Sequence, residues 1–149
     1  MKPILLGTFL SILLLAGACK KDNAQLGVNS GLTGSWSEPP ISTTMTRGLD
    51  FYKDSIFYVV RDYTDPANVL TTRINGTYST DGHQLSTSFK EIVIRQKNNQ
   101  VIYRTPFTGT LFDNATYQLD GNRLILHYTS YPADAPVATS MTLNRQLPD

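Results

Sequence analysis

Side chains able to do chemistry are few in this sequence, and their placement excludes more than it offers. The chain has two histidines, His83 and His127, two glutamates, Glu38 and Glu91, and a single cysteine, Cys19. No His-Glu-X-X-His, Gly-X-Ser-X-Gly, Gly-rich phosphate loop or Cys/His pair occurs, so the spacings required for zinc hydrolysis, nucleophilic catalysis and phosphate cradling are missing. General acid/base work needs positioned carboxyl groups, and nothing in the sequence sets Glu38 or Glu91 beside an aspartate as a pair. One cysteine allows no internal disulfide, and two histidines without nearby cysteines make a poor structural zinc site. His83 falls in an expected turn and His127 on the outward parity of a strand. The expectation is a protein that is not an enzyme and carries no metal or cofactor.

The chemistry that remains is acylation of Cys19. Lys2 gives a short positive start, an apolar run extends from Ile4 to Ala18, and Ala16-Gly17-Ala18 are small, the pattern of a secretory signal peptide over residues 1–18. A membrane-spanning helix needs about 20 apolar residues, and Lys20-Lys21 follow this run directly. Leu15-Ala16-Gly17-Ala18-Cys19 resembles a bacterial lipobox, with Ala16 where the usual leucine stands. That resemblance implies cleavage before Cys19 and a diacylglycerol on its sulfur. Several acyl chains hold a membrane firmly, since each buried CH₂ contributes about 0.8 kcal/mol. Residues 19–31 read as a flexible tether with a reach of roughly 20 Å. Cleavage would leave twelve basic against twelve acidic side chains, a balance that argues against a nucleic-acid partner.

From Leu32 to Leu147 the hydropathy has period two, with turn residues about every ten positions and no sustained helical spacing. Asp81-Gly82 and Asp120-Gly121 between alternating segments signal hairpins. Lys53-Asp54 and Asn98-Asn99 are further tight turns, the latter joining a strand over 91–97 to one over 100–105. Residues 85–89 are expected as a separate strand. The count leads to an all-β fold, an antiparallel up-and-down β-barrel of about 8–10 strands, since closure removes exposed edges. In the last strand Met141, Leu143 and Arg145 share the apolar face with Val137 and Thr139. A charge on that face must be paired or stacked, and a guanidinium over an indole contributes roughly 0.5–2 kcal/mol. Arg145 is therefore expected to pack across Trp36, the only tryptophan, as a barrel-closing pair.

Gly34-Ser35-Trp36 near the start, Arg145 near the end, Gly76-Thr77-Tyr78, Ala115 to Gly121 and Leu124 to Tyr128 together resemble the small lipocalin-like lipoproteins of Bacteroidota over residues 32–147. The resemblance implies a lipocalin-like barrel anchored to the outer membrane of the cell envelope. Tyr58, Tyr78, Tyr117 and Tyr128 lie on the aliphatic parity of their strands; inside a barrel they line a site for a small apolar ligand or simply fill the core. Asp54-Ser55-Ile56 resembles an O-glycosylation acceptor of the same bacteria, and turn chemistry accounts for those residues equally well. Two functions from different classes follow. One is binding of a small apolar ligand in the barrel, and the other is contact with an envelope protein or a glycan through loops such as Asp62 to Asn68 and Tyr131 to Pro136.

Overall fold

The structure, a computed structural model, describes residues 31–132 and 135–147. The expected signal peptide, Cys19 and the tether up to Ser30 lie outside the described residues. Nine antiparallel strands follow one another: β1 Gly34–Ser37, β2 Met45–Tyr52, β3 Ser55–Asp62, β4 Leu70–Asp81, β5 Gln84–Gln96, β6 Val101–Pro106, β7 Asp113–Asp120, β8 Arg123–Ser130 and β9 Val137–Gln146. Among the described residues no helix is long and apolar enough to cross a membrane.

The strands alternate because their sequence does. Ile56 and Tyr58, Leu124 and Leu126, and Met141 and Leu143 face one interior, while their neighbours face outward. Two-residue connections join β2 to β3, β4 to β5 and β7 to β8. Their first residues, Lys53, Gly82 and Gly121, take φ of 56°, 56° and 59°, a conformation glycine adopts without the Cβ clash.

Residues 84–96, expected as two strands, form one strand of 13 residues. Gly76 pairs with Phe89 but Asn75 pairs with Glu91, which leaves Lys90 as the extra residue of a β-bulge. A bulge shifts the inward parity by one, from Leu85 and Phe89 before it to Ile92 and Ile94 after it. That parity change is what gave the sequence the look of two strands. At Gly76 an added Cβ would come within 2.9 Å of the Phe89 backbone, so this crowded site beside the bulge needs glycine.

Hydrogen bonding runs in a ring, β1–β2–β3–β4–β5–β7–β8–β9 and back to β1, a barrel-like sheet. β5 shares its second edge between two partners. Gln84 and Leu85 pair with Thr116 and Ala115 of β7, and from Glu91 onward β6 takes over. The ring has two unlike ends. Tight turns crowd the end at Lys53, Gly82 and Gly121, and longer loops, 38–44, 63–69 and 107–112, with Tyr131 after β8, lie at the other. The interior between them is packed: Trp36, Leu49, Ile56, Leu124, Leu126 and Leu143 are all at most 1% exposed.

Candidate functional site

At the tight-turn end, Trp36 and Arg145 are register partners on β1 and β9, and the guanidinium lies 4.2 Å from the indole ring centre. Arg145 donates from Nη1 to the Thr33 carbonyl at 2.8 Å and from Nη2 to the Gly31 carbonyl at 2.6 Å. The Trp36 Nε1 donates to the Leu32 carbonyl at 2.8 Å. Residues 31–33 are thus stitched across the end of the ring, and Leu32 is fully buried beneath them. Gly34 has φ of 126°, and a Cβ there would approach Arg145 Nη1 to 3.2 Å, so the Gly-X-Trp spacing serves this closure directly.

The four inward tyrosines do not meet at one place. Tyr78 and Tyr117, each 8% exposed, lie towards the tight turns. Tyr78 stands edge-on to Phe51 at 4.9 Å, and its hydroxyl is buried without a hydrogen-bond partner. Burial first, then the neighbouring Tyr117 and Asp54, raises the Tyr78 pKa above its ordinary value. Tyr117 packs edge-on to the imidazole of His83 at 6.4 Å.

Tyr58 and Tyr128 lie towards the loops, on either side of a residue that the sequence reading did not single out. Phe112, 5% exposed, comes from the 107–112 loop and meets Tyr128 at 4.9 Å, Tyr58 at 5.8 Å and Phe89 at 6.1 Å between ring centres. The loop is tied down by Thr87, whose hydroxyl donates to the Leu111 carbonyl at 3.0 Å. Phe112 fills the opening left where β7 parts from β5. Its φ of 58° is unusual for a bulky side chain. The only signal for it in the sequence is Leu111-Phe112, an apolar pair in a segment otherwise read as a connection.

Beside this plug, Arg47 Nε donates to Glu38 Oε2 at 2.6 Å. Burial alone would lower the Arg47 pKa, but the Glu38 carboxylate and Tyr58 outweigh it and raise it. Burial raises the pKa of Tyr58 while Arg47 opposes it, and burial likewise raises that of Tyr128. One ion pair thus lies beside the tyrosines that flank Phe112. Two depressions open onto solvent. One of about 660 Å³ lies at the loops between Pro40, Ser42, Thr43, Thr46 and Tyr63, and one of about 360 Å³ lies outside β7–β9 around His127, Tyr128 and Ser140. Neither is lined by Tyr58, Tyr78 or Tyr117.

His83 and His127 are exposed, and among the described residues no group of three or more His, Cys, Asp or Glu is placed to hold a metal ion. Comparison with protein-family models finds no match, and comparison with curated proteins and with solved structures finds none either.

Proposed function

We propose that the chain is a lipid-anchored, non-enzymatic lipoprotein of the cell envelope whose lipocalin-like barrel works as an interaction module, contacting another envelope protein or a glycan through its loops. The observation that carries this reading is the filled interior, with Phe112 seated among Tyr58, Phe89 and Tyr128 where a ligand would enter. Tyr63 and Tyr131, 38% and 51% exposed, stand on the loops named for such contact, and exposed aromatic side chains are favoured at interfaces. The tether joins at Gly31, on the sealed end, so the loop end lies opposite the point where the tether joins.

A second reading, carriage of a small apolar ligand, is favoured by the left-handed φ of Phe112. A strained residue on a loop is suited to act as a stopper that a ligand displaces. Native mass spectrometry of the acylated protein taken from its own envelope separates the two. The module predicts the mass of the protein alone, and a stoichiometric small molecule that stays bound would replace it with the carrier. For the anchor, Cys19→Ser should abolish acyl labelling and membrane fractionation, and labelling that persists would remove the lipoprotein assignment.

A further inference from the structure

The outer face of β3–β6 carries an arrangement that neither reading uses. Arg61, Thr71 and Arg95 are register partners across three strands, and Arg73 stands two residues along β4 from Thr71. All four point away from the core, because Tyr58, Ile74 and Ile94 occupy the opposite parity. With strands about 4.8 Å apart, Arg61 and Arg95 are about 10 Å apart at the backbone, and Arg73 is about 7 Å from Thr71. Three long side chains thus share one face, with the Arg73 guanidinium leaning over Phe57 towards Asp50 and that of Arg95 reaching the Asn99 carbonyl.

Their charges are not balanced. Arg104 in the adjoining row is paired with Glu91 at 3.1 Å. Arg73 has only Asp50, at 3.8 Å, and its Nε is buried with no hydrogen-bond partner while its guanidinium rests on the Phe57 ring at 3.7 Å. Arg95 donates to the neutral carbonyl of Asn99 at 3.0 Å, and among the described residues neither it nor Arg61 has an ion pair. Burial lowers the Arg73 pKa, and the positive charges of Arg95 and Arg61 lower it further against the pull of Asp50. Three guanidinium groups therefore face one carboxylate, with stacking on Phe57 fixing the central one.

We propose that this face binds a phosphate-bearing anion among Arg61, Arg73 and Arg95. Free phosphate or a phosphate monoester carries about two negative charges near neutral pH and a diester headgroup one, against a local excess of positive charge, and phosphate oxygens accept guanidinium forks from several sides. The phosphate is that of a lipid headgroup or of a soluble ligand. The site goes beyond the interaction module and does not depend on whether the interior is filled.

The test uses the chain from residue 19 onward carrying Cys19→Ser, so that neither the apolar segment over residues 1–18 nor acyl chains contribute. Amide NMR follows titration with inorganic phosphate, and sedimentation compares vesicles of phosphatidylglycerol in phosphatidylcholine with pure phosphatidylcholine. Phosphate should shift the amides around Arg61, Thr71, Arg73 and Arg95 saturably, or anionic vesicles should retain more protein than neutral ones. Arg61→Gln/Arg95→Gln should weaken that response at least tenfold, and Arg61→Gln alone, at an exposed side chain, should weaken it without touching the fold. Lys53→Gln/Arg123→Gln removes the same charge at the tight-turn end and should leave the response unchanged. A response to free phosphate alone assigns a soluble ligand, and one to anionic vesicles assigns a headgroup. No response to either probe, no loss in the arginine variants, or an equal loss in the control overturns the site.

Discussion

The two ends of the ring are closed by different physics. At the tight-turn end, directional bonds do the closing: Arg145 and Trp36 together hold the carbonyls of Gly31, Leu32 and Thr33. At the loop end, Phe112 closes the opening by ring packing, with the Thr87 to Leu111 bond holding its loop. Hydrogen bonds tolerate little displacement before they are lost, whereas an apolar stopper can be replaced by another apolar group of similar size. The first end is held by directional bonds, and the second chiefly by packing.

Substitutions should widen or erase that difference. Trp36→Ala should cost about 3–5 kcal/mol, the range for a buried large aromatic, read from urea unfolding midpoints; a loss within error would deny the sealed end its structural role. Phe112→Ala should cost about 3 kcal/mol and leave a dry cavity, so that indole raises the melting temperature of the variant and not of the wild type. Phe112→Gly should be no less stable than Phe112→Ala, because glycine accepts φ of 58° freely; the usual ordering, with glycine worse, would show that the loop relaxes once the ring is gone. Arg145→Met keeps volume but strips the Gly31 and Thr33 carbonyls of their charged donor, a loss of about 2 kcal/mol measured by the same unfolding.

The smallest effect is a pH dependence to which the loop end contributes two tyrosines. Burial raises the pKa of Tyr58 and Tyr128 in the folded protein, so their neutral forms are favoured by folding. That contribution is fully present below the unfolded tyrosine value of about 10 and is lost as pH rises through the folded values. Stability should therefore fall in alkaline solution, and Tyr58→Phe/Tyr128→Phe should flatten the fall. An unchanged slope would place its origin elsewhere, including the buried Tyr78.

Much of the strand order was legible in the sequence because its signals are local. Asp81-Gly82 and Asp120-Gly121 set the β4–β5 and β7–β8 connections, and alternation set which side chains of β8 and β9 face inward. The bulge at Lys90 was not, because an inserted residue and a strand break alter the parity alike. Phe112 was hidden for another reason. Its place depends on β7 leaving β5 after two residue pairs, a matter of long-range pairing that no window around Leu111-Phe112 contains. The tyrosines show the same boundary: parity put them inside, but only the register separates Tyr78 and Tyr117 from Tyr58 and Tyr128. The arginine face was equally out of reach, since Arg61 and Arg95 become neighbours only across β4.

The pairing of β1 with β9 joins residues that lie at opposite ends of the domain's sequence, Trp36 with Arg145. Contacts of such separation form slowly, because the entropy of closing the intervening loop is spent before they repay it. Of the nine strands, β9 with Arg145 leaves the ribosome after all the others. Until it emerges, β1 has only one of its two neighbours, and the carbonyls of Gly31 and Thr33 lack their donor. The ring thus reports on its own completion: a chain truncated before β9 keeps the hairpins built before it, loses the β8–β9 pairing and has no lock.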